Sequence, residues 1–585
     1  MNRETELHFA NVPSIDISRC KLKKKHDHKT TFNTGDIIPI YCDDIIPGTT
    51  VKMNMASLVR MMTPIAPVMD NAYMDVMFYF VPNRLVWSHW VNMMGENDTA
   101  PWAQQNNYTV PQITVPSGGW AKGSLADYFG LPTGVDNGGW KANALPFRAY
   151  CLIYNDWFRD QNLETPVYIS LGDSDTTGIN KGANYDEITD TECGAAPLKA
   201  CKFHDYFTSA LPTAQKGPAV EIPLGDWAPV YARDDQIDIT RLSTIPKGMH
   251  FMQRNAGTGA LETPASGDIA LKVDSGGTYG YMTSNTTAVS AASNVLVPMN
   301  LYTDLSAALG ATVNQLRQSF AVQKFYERAA RGGSRYIETI LSHFRVTNPD
   351  FRMQRPEYMG GVRIPINMNQ VVQTDSSGKS SYYDSTDSAW VTEDKTPQGN
   401  LAAYSATSHN DGDLFTHSFT EHGILMGLAI VRTEHTYQQG LNRMWSRKDM
   451  FSYYWPELAN LGEQAILNKE IYLQGASAVN AETGKQYDEE AFGYQEAWAE
   501  YRYKPSMITG ELRSNYAQSL DIWHYGDDYN ALPSLGSQWI KEPEENMDRT
   551  LAIQTHDQFF GDFYFEPTYA LPMPLYSVPG LIDHH

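Results

Sequence analysis

Two stretches of this sequence concentrate its cations, and clustered cations are its strongest candidates for a chemical role. The first stretch, residues 19–29, reads RCKLKKKHDHK and contains Lys21, Lys23, Lys24, Lys25 and Lys29. Closely spaced lysines attract phosphate through charge alone and do not read base sequence. Two interpretations stay open at this point: a solvated, mobile arm, or an arm that faces nucleic acid.

The second stretch lies in a segment with helical periodicity. Apolar residues recur every three to five positions from 305 to 325 and again from 336 to 344, which predicts two helices. Arg328, Arg331 and Arg335 surround the predicted turn between them. These arginines are either solvated helix cations or part of a surface that meets nucleic acid or another subunit.

No catalytic or cofactor motif accompanies these cations. The sequence contains no nucleophile elbow, P-loop, dinucleotide fingerprint, HExxH motif or EF-hand loop. His26, His28, His584 and His585 could bind a metal only if the fold gathered them, and histidines of arms and termini are usually solvated. We therefore predict a protein that is not an enzyme, with no catalytic residue, no cofactor and no metal site.

The cysteines and the apolar tracts indicate in which compartment the protein is made and whether it enters a membrane. Its five cysteines are odd in number and form no CxxC pair, which argues against a disulfide framework and predicts a reducing compartment. The first residues contain no apolar signal region, and the longest apolar tract, residues 424–431, is too short to cross a bilayer. We expect no insertion into a membrane.

The overall negative charge argues against a protein that binds nucleic acid over its whole surface. The chain has 45 Lys and Arg residues against 67 Asp and Glu residues, a net charge of −22. A protein of this charge that encloses nucleic acid needs a local cationic surface, or a basic partner, on the side that faces the phosphates.

The elements that must position these cations are mostly strands. Residues 37–41, 76–81 and 559–565 are short runs rich in β-branched and aromatic residues, and residues 417–431 contain the most clearly buried strand. Helical patterns appear at 83–97 and 142–157. Between about 216 and 299 the composition shifts to Gly, Thr, Ser and Ala, which predicts a separately folded excursion with a hairpin over 269–281.

Four long phrases of the sequence resemble one protein family. They are HKTTFNTGDIIPIYCDDIIPG, TPIAPVMDNAYMDVMFYFVPNRLVW, ERAARGGSRYIETILSHF and FRMQRPEYMGG, in that order along the chain. In combination they resemble the major capsid protein of the Microviridae, in the gokushovirus branch of small single-stranded DNA phages. Residues 216–300 match none of the family's phrases.

The resemblance implies a fold and a set of domains. From the residues alone we predict a mainly β protein with long insertions; the resemblance adds an eight-stranded antiparallel jelly roll, the viral capsid β-barrel, with long helical and loop insertions. The predicted divisions are a basic arm at 1–30, the first part of the jelly roll at 31–215, a surface protrusion at 216–300, and a helical segment with the second part of the jelly roll and a tail at 301–585.

The resemblance also implies a function and partners. We predict a structural protein that self-assembles into a T=1 icosahedral shell around a circular single-stranded DNA genome, within a virion assembled in the host bacterial cytoplasm. The DNA-facing candidates are Lys21, Lys23, Lys24, Lys25, Lys29, Arg328, Arg331 and Arg335. The expected partners are further copies of the chain, the genome, a small basic DNA-binding virion protein and, through the protrusion, a host cell-surface receptor.

A second class of function fits the aromatic content. With 34 Tyr and 13 Trp, loops of this chain could stack sugars, which would make it a carbohydrate-binding or carbohydrate-active β protein. The same content fits an aromatic core or extensive subunit interfaces. Size-exclusion chromatography separates the two classes, because a capsid protein forms megadalton particles and the alternative runs as a 65.6 kDa chain.

Overall fold

The computed structural model describes most of the chain in full. The described residues are 18–96, 108–218 without 137 and 183, 220, and 313–576 without 373–378, 385–388, 395–400 and 409–410. Only the backbone is described for the strands between 230 and 303 and for the strand residues between 367 and 411. The chain divides into two compact units, one formed by Met1–Lys216 with Glu327–His585 and the other by Gly217–Tyr326.

Strands dominate both units. In chain order they are β1 Cys20–Lys23, β2 His26–Phe32, β3 Ile38–Ile45, β4 Thr50–Met61, β5 Ala72–Pro82, β6 Gln112–Thr114, β7 Lys141–Asn143, β8 Thr176–Thr177, β9 Val230–Ala232, β10 Phe251–Arg254, β11 Leu261–Glu262, β12 Ile269–Val273, β13 Gly280–Ser284, β14 Val295–Pro298, β15 Leu301–Thr303, β16 Glu357–Pro365, β17 Asn367–Val372, β18 Lys379–Asp384, β19 Ala389–Asp394, β20 Leu401–Ser408, β21 Asp411–Ser418, β22 Gly423–Thr433, β23 Thr436–Tyr437, β24 Glu463–Leu467, β25 Ala491–Glu496, β26 Ser506–Met507, β27 Phe559–Phe565 and β28 Thr568–Leu571.

Helices are mostly short. The α-helices are α1 Asn83–Val86, α2 Trp90–Met93, α3 Leu125–Tyr128, α4 Leu145–Ile153, α5 Glu187–Asp190, α6 Val313–Arg331, α7 Tyr336–Phe344, α8 Asp350–Met353, α9 Asn468–Ile471, α10 Ser537–Ile540 and α11 Glu545–Asp548. One π-helical turn spans Tyr154–Phe158. Short 3-10 turns occur at Thr191–Cys193, Arg443–Ser446, Met450–Ser452, Pro456–Leu458, Tyr487–Glu489, Ala499–Tyr501, Gly510–Leu512 and Asp521–Trp523.

The larger sheet is built around β4. On one side β4 pairs with β27 and β28, which in turn pair with β2 and β1; on the other side it pairs with β21 and β20, and β20 pairs with β17, all antiparallel. Residues of β4 alternate between buried and more exposed positions along its length. Period-two alternation places one face of this sheet against the core and leaves the other face to solvent.

The smaller sheet has the order β16–β5–β22–β3 and is also antiparallel. Nearly every residue of β22 is buried, so this sheet is covered on both faces. Gly427 is required here, because a Cβ at that position would lie 2.7 Å from the Phe78 ring. Pro39 is tolerated in β3 because β3 is an edge strand with a register shift where it pairs with Leu428.

The two sheets share one apolar core. Alternate residues of β5, including Val76 and Phe78, pack on this side with Met53 of β4 and Phe563 and Phe565 of β27. The rings of Phe78 and Phe565 meet edge to face with their centroids 6.4 Å apart. The other side of the smaller sheet packs on a second core that includes the buried side chains of α4.

Most predicted elements are confirmed, and one differs. The strands predicted at 37–41, 76–81 and 559–565 correspond to β3, β5 and β27, and the stretch 417–431, predicted to contain a buried strand, overlaps β22. The helices predicted at 142–157, 305–325 and 336–344 overlap α4, α6 and α7, and residues 305–312 of the second lie outside the described residues. The helix predicted at 83–97 is broken into α1 and α2, because Trp87 adopts an extended backbone with its indole donating to Asp173 at 2.7 Å.

The Gly217–Tyr326 unit consists of small antiparallel pairings among its described strands. β12 pairs with β13, as the predicted hairpin requires, β10 lies between β11 and β14, and β9 pairs with β15. Together the sheets confirm the prediction of a mainly β protein with antiparallel strands.

Candidate functional site

The lysine-rich stretch forms two edge strands of the larger sheet. Among the described strands, β1 pairs only with β28 and β2 only with β27. Cys20 and Leu22 of β1 pack against the core, so the alternating Lys21 and Lys23 lie on the solvent face. Lysines on edge strands also block pairing with further strands. Residues 1–17 of the predicted arm lie outside the described residues.

Lys23 and Lys25 share one carboxylate. Their Nζ atoms lie 3.5 Å and 2.6 Å from Glu566 Oε1, and both side chains stay more than half exposed. The hydrogen bond and charge of Glu566 raise the pKa of Lys25, and the hydrogen bond from Lys25 lowers the pKa of Glu566. The raised pKa keeps Lys25 charged, and both lysines are reachable from solvent.

Lys24 points toward the protein instead. Its Nζ donates to Asp43 Oδ2 at 2.7 Å and lies 4.1 Å from the centre of the Tyr569 ring. Tyr569 is buried and shares a 2.5 Å hydrogen bond with Tyr41. A cation held by both a carboxylate and an aromatic face is the least available of the five lysines for an external ligand.

Lys29 and Lys21 complete the group. Lys29 contacts Asp27 on its own strand and Asp562 at 3.5 Å on β27, with two thirds of its side chain exposed. Lys21 is exposed, and no ion pair is formed by it with any described residue. The structure thus brings the five lysines together along one edge of the larger sheet.

The predicted arginines lie around the turn between α6 and α7, away from the lysines in the chain. Arg328 is exposed and has no ion pair among the described residues. Arg331 pairs with Glu463, whose carboxylate is almost fully buried, and lies 3.6 Å from Glu496. Burial raises the pKa of Glu463, while its hydrogen bond with Arg331 opposes that rise.

Arg335 is bound into the protein through its guanidinium. Its Nη2 donates to the carbonyl oxygens of Asn155 at 2.6 Å and Arg159 at 3.1 Å, and its Nη1 lies 3.2 Å from Glu338 Oε1. These bonds fasten the start of α7 to the π-helical turn. Carbonyl groups at such a turn otherwise lack intrahelical donors, so this arginine serves the fold.

A cavity of about 600 Å³ opens beside this turn. Three arginines (Arg159, Arg331 and Arg335) and four carboxylates (Asp160, Glu338, Glu463 and Glu496) are among its lining residues. Because carboxylates outnumber guanidinium groups there, the cavity is a poor site for a phosphate.

A buried ionic cluster was not predicted from the sequence. The His435 ring contacts Asp527 Oδ1 at 3.1 Å and Glu542 Oε2 at 3.0 Å, and Lys202 Nζ lies 3.4 Å from Asp527 Oδ2. All four side chains are almost completely buried. We call this group the Asp527 cluster.

Charge balance explains how the Asp527 cluster tolerates burial. Burial alone would lower the pKa of His435, but the charges of Asp527 and Glu542 outweigh it and raise that pKa to about 10. Burial would raise the pKa of Asp527, but His435 and Lys202 hold it well below its usual range. Two cations therefore face two anions, and the cluster holds together segments far apart in the sequence.

The Asp527 cluster superficially resembles a His–Asp catalytic pair. Its histidine uses both ring nitrogens on carboxylates, and neither nitrogen is left to activate a nucleophile. Thr433 donates to the second oxygen of Glu542, Oε1, and Asn546 donates to Asp527 Oδ1, the oxygen that His435 also contacts. The arrangement is suited to holding the fold together.

Within the described residues, no group of three or more His, Cys, Asp or Glu side chains has the arrangement of a metal site. His26 and His28 lie on β2, where each ring contacts a backbone carbonyl, and His584 and His585 lie outside the described residues. Among the helices described, none is both long and apolar enough to cross a membrane.

Comparison with known proteins gives two consistent findings. A family model described as capsid protein (F protein) matches residues 10–581. The chain is 41% identical to capsid protein VP1 of Bdellovibrio phage phiMH2K, covering 99% of this chain and 98% of that protein. It is 41% identical to capsid protein VP1 of Spiroplasma virus 4 and 38% identical to that of Chlamydia phage 1, in each case covering 98% of this chain and 97% of the relative.

Proposed function

The chain belongs to the capsid protein (F protein) family, and on that premise we propose that its copies close into a T=1 icosahedral shell around a circular single-stranded DNA genome. Membership makes the chain a structural protein of the virion and not an enzyme, and it confirms the resemblance to the capsid proteins of the Microviridae. Assembly of copies into a shell follows from that role. Neither comparison supports the carbohydrate-active alternative.

The wall of the shell is an eight-stranded antiparallel jelly roll with long helical and loop insertions. Two antiparallel sheets that share one apolar core support this proposal, because a jelly roll is a double-sheet architecture. The proposed parts remain the arm at 1–30, the two halves at 31–215 and 301–585, and the insertion at 216–300.

The inner wall contacts DNA through the exposed lysines of β1 and β2. Lys21 has no competing carboxylate among the described residues, and the pairs formed by Lys23, Lys25 and Lys29 are exposed enough for a phosphate to replace the carboxylate. Lys24 and Arg328 are further candidates. At Arg331 and Arg335 a phosphate must first displace Glu463 or two backbone carbonyls.

A small basic DNA-binding virion protein shares the interior of the shell. The support for it is electrostatic: each copy of the chain carries a net charge of −22, so the few exposed cations of β1 and β2 cannot neutralise a packaged genome. The same imbalance favours assembly in the host bacterial cytoplasm, where the genome and the basic partner are both present.

The insertion at 216–300 forms a surface protrusion that contacts a host cell-surface receptor. The division of the chain into a separate unit at Gly217–Tyr326 supports a protrusion with its own fold. Exposed insertions carried on a rigid scaffold commonly hold recognition residues.

The observation that carries the proposed function is the match to a capsid family over residues 10–581. We expect purified chain, with single-stranded DNA and the other virion components, to elute as megadalton particles that negative-stain microscopy shows as closed shells. A product that stays at 65.6 kDa at high concentration in that mixture contradicts the proposal.

A further inference from the structure

One loop exposes an unusual amount of apolar surface. Between residues 444 and 461, a region of short 3-10 turns, eight large apolar side chains are between 46% and 70% exposed. They are Met444, Trp445, Met450, Phe451, Tyr453, Tyr454, Trp455 and Leu461. We call residues 444–461 the aromatic loop. Exposed apolar side chains concentrated in one loop to this extent indicate an interaction site.

Two partly buried arginines hold the base of the aromatic loop. Arg443 Nη2 lies 2.7 Å from Glu470 Oε1, and Arg447 Nη2 lies 3.2 Å from Glu500 Oε1. The Arg447 guanidinium also covers the Tyr501 ring at 4.4 Å. These contacts fix both ends of the first turn of the loop to the body of the protein.

Contacts within the aromatic loop and with the body of the protein order the loop. Asp449 accepts from both the backbone and the hydroxyl of Ser452 at 2.8 Å. The Trp455 indole donates to the Met450 carbonyl at 2.8 Å, and the Tyr454 ring meets Trp498 edge to face. A surface ordered before binding loses less conformational entropy when a partner docks on it.

The area of the aromatic loop matches one side of a protein–protein interface. Side chains of this kind carry roughly 150–250 Å² each, so eight of them at about half exposure present on the order of 800 Å². One partner of a standard interface contributes about the same area. Trp, Tyr, Phe and Met are also the residue types enriched in the centre of such interfaces.

The charges of the aromatic loop argue against nucleic acid as the occupant. Arg443 and Arg447 are paired with glutamates, which leaves Lys448 as the exposed cation against the exposed Asp449 and Glu457. A site that stacks bases without a cationic track lacks the phosphate attraction that supplies most of the affinity for single strands.

We propose that the aromatic loop packs against a neighbouring copy of the chain and is a main subunit contact of the shell. This inference rests on the proposed function, since a shell requires repeated contacts between copies. In a ring of copies the contact is heterologous, so the loop of one copy meets a different surface on the next. Burial of Trp445 and Phe451, the two most exposed aromatic side chains of the loop, then supplies much of the contact energy.

The test compares two double variants for shell formation. We expect Trp445→Ser with Phe451→Ser to reduce the number of shells at least tenfold at equal concentration, because every shell repeats the weakened contact many times. The control, Tyr168→Ser with Met69→Ser, removes two equally exposed residues outside the loop and leaves the number of shells unchanged. Circular dichroism of the unassembled subunits checks that both variants fold.

A second measurement reads the contact directly. A photocrosslinking amino acid placed at Tyr453 should give covalent pairs of chains in assembled shells. Crosslinks to DNA alone, normal shells from the loop variant, or an equal loss in the control each overturn the inference while the proposed function stands. A wild-type chain that never assembles overturns both.

Discussion

The lysine strands β1 and β2 and the Asp527 cluster both pair cations with carboxylates, but only the strands keep their cations available. Lys23, Lys25 and Lys29 are more than half exposed, whereas Lys202 and His435 are almost completely buried. In an exposed ion pair, ions from solution can replace either partner, so the pair contributes little to the stability of the fold. A buried pair is expensive to break, because one uncompensated charge is left in the interior.

A run of cations in a sequence therefore shows that charge is present, but it does not show whether the cations are exposed to an external ligand. The Asp527 cluster brings Lys202 and His435 together with two carboxylates of the segment 527–542, and its charges stabilise the fold. The lysine strands gather five lysines within nine positions and leave most of them facing solvent. We therefore expect the charges of the lysine strands to bind a ligand, and the charges of the Asp527 cluster to stabilise the fold.

The largest expected effect comes from breaking the Asp527 cluster. Asp527→Ala leaves Lys202 and His435 buried without their shared carboxylate, and we expect a loss of about 3–5 kcal/mol in the free energy of unfolding. Denaturant unfolding of the purified subunit measures it. The matched control is Asp413→Ala, which breaks the exposed 2.6 Å pair with Lys52 and should cost less than about 1 kcal/mol. Equal losses of unfolding free energy in the two variants would show that the buried pairs stabilise the fold no more than an exposed pair does.

The pH dependence of stability sharpens the comparison. The pKa of His435 rises from 6.5 to about 10 on folding, so its stabilisation is complete below pH 6.5 and disappears as the pH passes through 10. We expect the wild type to lose on the order of 2–4 kcal/mol over that window, relative to a His435→Gln variant that lacks this titration. If the unfolding free energies of both proteins change equally between pH 6 and pH 10, the histidine is neutral in the folded protein and the prediction is wrong.

An intermediate effect is expected at Arg335. Arg335→Ala leaves the carbonyl groups of Asn155 and Arg159 without their donor, and we expect a loss of about 2–3 kcal/mol in unfolding free energy. Arg352→Ala is the control, because Arg352 is exposed and has no ion pair among the described residues. If Arg335→Ala unfolds like the wild type but lowers the DNA content of particles, Arg335 belongs with the lysine strands after all.

Prediction from the sequence succeeded where the signal is local. β5, β22 and β27 are rich in apolar and aromatic residues, and these strands were predicted within a few positions. β4 was not predicted, although Val51, Met53 and Met55 alternate with more polar residues, and this period-two pattern could have revealed it. No catalytic motif was found, and the family is structural.

The sites could be predicted only in part, because their partners are distant in sequence. The lysines were identified from their spacing, but Glu566 lies 543 positions after Lys23, so neither the ion pairs nor the strand pairing could be predicted. The Asp527 cluster joins residues 92 to 325 positions apart and carries no motif. The aromatic residues of the aromatic loop can be read from the sequence. Their exposure cannot, because it depends on how the folded chain packs.

The smallest effect on stability, and the clearest effect on function, is expected at the lysine strands. Changing Lys21, Lys23, Lys24 and Lys25 to Gln removes mostly exposed charges and the partly buried Lys24–Asp43 pair, so we expect a loss of less than about 1 kcal/mol in the free energy of unfolding. Packaged DNA per particle should fall. Its release should also depend less steeply on salt, because each lost phosphate contact removes roughly 0.7 from the slope of log K against log salt for a single strand.

A charge-matched control separates position from net charge. Lys122, Lys141, Lys181 and Lys485 are also exposed, and changing these four to Gln lowers the charge of each copy equally. If both quadruple variants lose DNA alike, only the total charge matters, and the edge strands have no special place on the inner wall. If only the β1–β2 variant loses DNA and salt sensitivity while both subunits stay folded, the exposed pairs of these strands exchange carboxylate for phosphate. The Asp527 cluster cannot make that exchange, because its carboxylates are sealed inside the fold.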